Sequence, residues 1–93
     1  MKKRITSAER RWIVRVIRLG QQIGCVACGS TEKIRAHHCG TAMGLAKDHS
    51  AVIPVCLDHH IDEPGGCTLS RREWEEAYGT EESHINAVRR NLT

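Results

Sequence analysis

The chain has 93 residues, which is room for one small domain over residues 1–93. It carries a net charge of +3, five cysteines, six histidines, two tryptophans, one tyrosine and no phenylalanine. The odd number of cysteines excludes a fully paired disulfide framework. No apolar run reaches the length of about 18 residues that a membrane-spanning helix needs, so we expect no contact with a membrane.

The scarcity of aromatic residues indicates that apolar burial alone stabilises this chain weakly, and chains of this size often bind a metal. The first residues, Met1-Lys2-Lys3-Arg4, lead into a polar stretch that lacks the apolar core of a signal peptide. We therefore expect a cytoplasmic protein. In that reducing compartment, clustered cysteine and histidine side chains are more typical of metal sites than of disulfides.

The first predicted element is a helix over residues 7–19. Thr6 and Glu9 have the spacing of a capping box, and the apolar residues that follow recur at helical intervals. Gly20 is expected to end the helix. A second face of the same helix carries Arg11, Arg15 and Arg18. This stripe fits contact with phosphates, and it equally fits a face exposed only to solvent.

Two cysteine motifs follow. Cys25-x-x-Cys28 lies in a glycine-flanked turn, and Cys56-x-x-His59 follows an apolar segment. Tetrahedral zinc takes four nitrogen or sulfur ligands, and two short pairs supply them. The sequence therefore predicts a structural zinc site, with a metal-free cysteine pair as the simpler alternative.

Short strands are predicted at residues 34–37 and 51–55, on either side of a glycine-containing loop at residues 40–49. A helix is expected to start near Leu57 and to stop before Pro64.

The last third of the chain predicts two more helices. The first is capped by Ser70 and Glu73 and ended by Gly79, and the second runs from the cap Thr80 to about Leu92.

Two histidine doublets, His37-His38 and His59-His60, adjoin these segments. Adjacent side chains on a strand point to opposite faces, so one histidine of the first doublet can bind a metal while the other faces a substrate. His59 then completes the zinc site and His60 turns toward the first doublet. Two alternatives remain: His60 belongs to the zinc site, or all four histidines are polar surface residues.

Together these motifs resemble the HNH nuclease superfamily, through Cys-x-x-Cys, a histidine pair at a strand end and Ile-Pro-Val-Cys-x-x-His-His. The order and spacing are most similar to the phage Ref-like group of RecA-dependent nucleases, over roughly residues 10–88. The resemblance implies an α+β fold. Its core is a small ββα-metal (HNH) unit with a zinc knuckle, flanked by an N-terminal helix and two C-terminal helices.

The resemblance also implies roles. His38 matches the general base, and His37 and His60 match ligands of a catalytic divalent metal. Mg²⁺ and Mn²⁺ suit phosphate oxygens, whereas histidine ligands favour Ni²⁺ or Zn²⁺. The implied activity is metal-dependent hydrolysis of DNA that leaves a 5′-phosphate. The residues that match the structural zinc frame are Cys25, Cys28, Cys56 and His59.

The implied partner is DNA, with a recombinase filament as a further one, in a bacterial host that carries the phage or prophage. Candidate phosphate contacts are Lys47, inside the motif region, and the helix residues Arg11, Arg15 and Arg18.

One position departs from the superfamily pattern. The middle residue of HNH falls on Ala51, which offers no side-chain hydrogen bond to the general base. His49, Ser50, Asp48 or a backbone carbonyl are the candidate replacements, and Asp62 is a candidate further metal ligand. Ala51 favours an alternative function, a non-catalytic zinc-bound module that binds DNA or protein.

Two cysteines remain outside the predicted zinc frame. Cys39 is either a soft ligand or a buried thiol, and Cys67 is a possible substitute in the zinc site.

Overall fold

The computed structural model describes residues 5–39, 49–61 and 63–93. Within these ranges the protein has three α-helices and one two-stranded antiparallel sheet. The elements are α1 (Ser7–Ile23), β1 (Ile34–His38), β2 (Val52–Cys56), a 3-10 turn (Leu57–His59), α2 (Arg71–Tyr78) and α3 (Glu81–Leu92). A small α+β protein is thereby confirmed, and its two strands before a helix are compatible with a ββα layout. The predicted roles of Lys47, Asp48 and Asp62 fall outside the described residues.

Helix α1 begins as predicted and ends later than predicted. Thr6 and Glu9 form the capping box, each side-chain oxygen accepting the other's backbone N–H at 3.0 Å. The prediction that Gly20 ends the helix is wrong, because α1 continues to Ile23 and Gly24 is its C-cap. Gly20 is buried, and a Cβ there would lie 2.6 Å from the Cβ of Pro54. Its missing side chain therefore serves close packing of the helix on the sheet.

The sheet is short and mostly buried. Ile34 lies opposite Cys56 and His38 lies opposite Val52. Every residue of β2 is buried, since α1 packs on both strands and α3 packs on β2. The last two residues of β1 are His37 and His38.

The predicted helix from Leu57 is wrong beyond its first turn. Only a 3-10 turn forms, and the backbone of His60 is extended, with φ −85° and ψ 113°. Hydrogen bonds from residues outside the turn occupy the carbonyls at its end. The indole of Trp74 donates to the His59 carbonyl at 3.0 Å, and the Cys67 N–H donates to the His60 carbonyl at 3.0 Å.

The last two helices confirm their predictions. Ser70 and Glu73 form a capping box, and Gly79, at φ 97°, ends α2. The Thr80 side chain accepts the Ser83 N–H at the start of α3. This brings Glu81, the first residue of α3, into the core. None of the helices in the described ranges has the length and apolar character to cross a membrane.

Candidate functional site

The four predicted zinc ligands lie close together. One ligand atom from each of Cys25, Cys28, Cys56 and His59 lies within 4.8 Å of the others. The Sγ atoms of Cys28 and Cys56 are 3.7 Å apart, and Cys56 Sγ is 3.2 Å from His59 Nδ1. These side chains, hereafter the Cys/His group, could hold a metal ion. The structure thus brings His59, and not His60, to this group.

Backbone hydrogen bonds shape the turn that carries the first cysteine pair. The Gly29 N–H donates to the Cys25 carbonyl at 2.8 Å, and the Cys25 N–H donates to the Ser30 carbonyl at 2.8 Å. The Val26 N–H donates to the carbonyl of Pro54 at 3.1 Å, which ties the turn to β2. On the opposite side, the ring of His59 stands edge-to-face against Tyr78 at 5.1 Å. The ligands are therefore held by three separate elements.

The thiols differ in acidity. Burial raises the pKa of Cys25, but hydrogen bonds from the backbone of Cys56, Ala27 and Cys28 more than offset this, so that its pKa is lowered. The pKa of Cys56 is raised to about 11 by burial, by its hydrogen bond with Cys28 and by the charge of Cys25. A metal requires thiolates, so binding here releases protons and weakens in acid.

Four imidazoles near the end of β1 form two contacting pairs. The rings of His37 and His60 meet edge-to-face at 5.3 Å, and those of His38 and His49 meet at 5.6 Å. We call His37, His38, His49 and His60 the histidine cluster. The predicted ligands His37 and His60 are therefore neighbours in space, and the predicted base His38 contacts His49.

His38 has the properties of a neutral base. Its Nε2 atom is buried, and among the described residues it has no hydrogen-bond partner. Burial lowers its pKa, and the nearby charges of His49, His37 and His60 lower it further. The unprotonated imidazole, which can accept a proton, is thus favoured at neutral pH.

Two carboxylates that the sequence analysis missed pair with this cluster. Glu81 Oε2 lies 2.7 Å from His37 Nε2, and Glu63 hydrogen-bonds to His60 Nδ1. Glu63 also accepts the Nε–H of Arg35 at 3.0 Å. The hydrogen bond with His60, and secondly the one with Arg35, lowers the pKa of Glu63. Each carboxylate engages one ring nitrogen of its histidine.

Helix α1 supports the second imidazole pair. Glu9, from the capping box, accepts the backbone N–H of His49 at 3.2 Å, and the Trp12 indole donates to the carbonyl of Ser50 at 2.9 Å. Ala51 is buried at 1% exposure, where it has no polar side chain to offer. Of the candidate replacements at this position within the described residues, His49 is the one whose ring contacts His38.

The remaining cysteines have different environments. Cys39 is fully buried, and burial, with the charges of Glu81 and Glu75, raises its pKa to about 12. Its Sγ lies near His37 and Glu81, within a second group of possible ligands. Cys67 belongs to neither group of ligands found among the described residues, and its backbone pairs with Ile61 and His60.

The predicted arginine stripe forms one surface on α1. Arg10, Arg11, Arg15 and Arg18 surround the half-exposed Val14 and line a shallow groove. Arg15 also donates to the carbonyl of Leu92 at 2.6 Å, and its guanidinium lies 5.4 Å from the centre of the Trp12 ring. We call this surface the arginine face.

No protein-family model, no curated protein and no solved structure matches this chain.

Proposed function

We propose that this chain is an HNH-type, metal-dependent DNA endonuclease. The observation that carries the proposal is the histidine cluster, in which the ring of the predicted ligand His37 contacts that of His60 and the ring of the adjacent predicted base His38 contacts that of His49. Imidazoles that meet at one strand end suit both metal binding and proton transfer. The sequence resemblance to the superfamily supports the same assignment.

The Cys/His group is proposed to bind a structural zinc ion. Three sulfurs and one imidazole nitrogen are a common zinc donor set. With Zn–S bonds of about 2.3 Å, two sulfurs on one tetrahedral ion lie about 3.8 Å apart. The observed distance between the sulfurs of Cys28 and Cys56 is 3.7 Å. The ion would join the turn after α1 to the end of β2 and to the 3-10 turn.

In the proposed mechanism the neutral imidazole of His38 accepts a proton from a water molecule. The water oxygen bonds to phosphorus in line with the 3′ oxygen, the bond from phosphorus to that oxygen breaks, and the 3′ oxygen takes a proton from solvent. A 5′-phosphate remains on the product. The ring of His49 limits rotation of His38 by standing edge-to-face against it.

His37 and His60 would hold the catalytic divalent metal. When bound, this ion supplies positive charge to the phosphate oxygens as negative charge develops there. The two histidines suit Ni²⁺ or Zn²⁺, and the oxygen-rich substrate suits Mg²⁺ or Mn²⁺.

The proposed partner is DNA, held through its phosphates by the arginine face. Arg11, Arg15 and Arg18 lie within this surface, as expected for contacts along a backbone. Lys47 remains a predicted contact, and a recombinase filament in a phage-carrying bacterium remains a partner suggested by the resemblance.

The experiment that tests the base is nicking of supercoiled plasmid by zinc-loaded protein with Mg²⁺, Mn²⁺ or Ni²⁺. His38→Ala should lower the nicking rate by about 100-fold or more, the usual range for loss of a general base. His84→Ala is the matched control. His84 lies outside both clusters, with Nε2 2.7 Å from the Tyr78 carbonyl oxygen, and its variant should keep activity. Equal nicking by His38→Ala and the wild type would refute the assignment.

The buried Ala51 favours a second candidate, a non-catalytic zinc-bound module that binds DNA or protein. Binding of plasmid without cleavage, under every metal and with a recombinase filament added, would support this candidate over the nuclease.

A further inference from the structure

Glu81 stands out as a buried charge. Its side chain is 1% exposed, and among the described residues it is the only charged side chain that is buried. A buried carboxylate is costly unless a partner compensates its charge and its hydrogen-bonding capacity. His37 is such a partner, at 2.7 Å between Nε2 and Oε2.

The length of this contact distinguishes a shared metal ion from a direct hydrogen bond. His37, Cys39 and Glu81 lie close enough to be ligands of one ion. However, a nitrogen and an oxygen bound to one tetrahedral zinc lie about 3.3 Å apart, given bonds of about 2.0 Å. The observed 2.7 Å is the length of a charge-assisted hydrogen bond. His37 and Glu81 are therefore bonded to each other.

This hydrogen bond determines which nitrogen of His37 is left for a metal. A carboxylate accepts, so Nε2 carries the proton and Nδ1 retains its lone pair. His60 shows the converse arrangement, in which Glu63 engages Nδ1 and Nε2 remains. Histidines that bind metals usually have such a carboxylate on the second ring nitrogen.

We propose that Glu81 is a positioning residue, which fixes His37 in the tautomer with the proton on Nε2 and presents Nδ1 to the catalytic metal. The proposal rests on the proposed function, because it takes His37 as a metal ligand. It also gives the C-terminal helices a role in the site. Glu81 is the first residue of α3, and its backbone N–H donates to Glu75 of α2 at 2.8 Å.

The first test is the tautomer of His37 by nitrogen NMR on the zinc-loaded full chain, without a second metal. The wild type, which needs no substitution, should show a proton on Nε2 and none on Nδ1. Glu81→Gln should shift His37 toward a mixture of tautomers. The matched control is Glu82→Gln, an exposed neighbour whose change removes the same charge from the same helix end. A proton on Nδ1 in the wild type would overturn the proposal.

The second test is binding of Mn²⁺ to the zinc-loaded chain. His37→Ala should abolish binding, and Glu81→Gln should weaken it by about 10- to 100-fold, as losses of such carboxylates typically do. Glu82→Gln should bind like the wild type. Unchanged affinity in Glu81→Gln, beside a loss in His37→Ala, would overturn the proposal.

Cys39→Ala separates the positioning role from a metal site that includes the thiol. The proposal predicts wild-type affinity for Mn²⁺, and a loss equal to that of Glu81→Gln would contradict it. If the wild type bound no Mn²⁺, the proposed catalytic metal would fail, and the tautomer spectra would decide the role of Glu81 alone.

Discussion

At the scale of single residues, backbone and side-chain contacts orient the ligands of the Cys/His group. The Ala27 N–H lies 3.3 Å from Cys25 Sγ, where it stabilises a thiolate. The His59 ring is held between Cys56 and Tyr78. Such contacts orient the ligands before a metal arrives, so loss of one ligand should weaken the metal site more than it disturbs the remaining three.

Cys28→Ser tests the group directly. We expect it to lose most of its zinc and to unfold at a lower temperature, because in small metal-binding domains the free energy of metal binding is largely folding free energy. Metal analysis and thermal unfolding measure the two effects.

Cys67→Ser is the matched control, since it changes the same type of side chain outside both groups of possible ligands. Full zinc content in Cys28→Ser, or equal loss in Cys67→Ser, would contradict the assignment.

The sequence predicts the ligands that lie close together along the chain. Two residues separate Cys25 from Cys28, and two separate Cys56 from His59. This spacing alone indicates a metal site. Glu81 is different, because it lies 44 residues from His37 and meets it only after α3 packs on the core. Glu63, three residues from His60, was within reach of a spacing argument.

At the scale of elements, the caps were predictable and the packing was not. Thr6 and Ser70 form local hydrogen bonds at the starts of their helices, and the spacing of the capping residues in the sequence predicts these bonds. The prediction that Gly20 ends a helix also used only local sequence, since glycine commonly ends helices. Its true role, contact with Pro54 and Ile34 on the sheet, depends on the position of another element.

Gly20→Ala tests that contact. Alanine favours helix by about 1 kcal/mol over glycine, so an unhindered site would be stabilised. Here the new Cβ would meet Ile34 Cγ2 at 2.8 Å and Pro54 Cβ at 2.6 Å. We expect a net loss of about 1–3 kcal/mol in the free energy of unfolding, as overpacked cores show. Urea unfolding measures it.

Gln21→Ala, the next and exposed position of α1, is the control for helix propensity and should be close to neutral. A stabilised Gly20→Ala protein would show that α1 does not pack on the sheet at this glycine.

At the scale of the whole molecule, α1 lies between the histidine cluster and the arginine face. Its inner side holds the turn at residues 49–50 through Glu9 and Trp12, and its outer side carries the arginine face. DNA bound along the arginines would therefore lie on the element that also positions His49. The sequence predicted the stripe, but periodicity alone did not connect it to the histidine cluster.

Salt dependence tests the arginine face. In Arg11→Ala/Arg18→Ala, the slope of log affinity against log salt should become shallower by about 0.9 for each lost phosphate contact. Arg15 is left unchanged because it also contacts Trp12 and Leu92. Fluorescence anisotropy with labelled DNA provides the measurement.

Arg72→Ala/Arg90→Ala, which also removes two exposed arginines but outside α1, controls for net charge. A slope that changes equally in this variant would refute a specific phosphate surface on α1.

We propose above that the histidine cluster uses a second metal ion to hydrolyse DNA. The decisive experiment is nicking of supercoiled plasmid by protein that holds one zinc per chain, before and after Mn²⁺, Mg²⁺ or Ni²⁺ is added. We expect slow or no nicking before addition, and rapid nicking with 5′-phosphate ends after it. The absence of nicking with every metal, by folded and zinc-loaded protein with or without a recombinase filament, would contradict it.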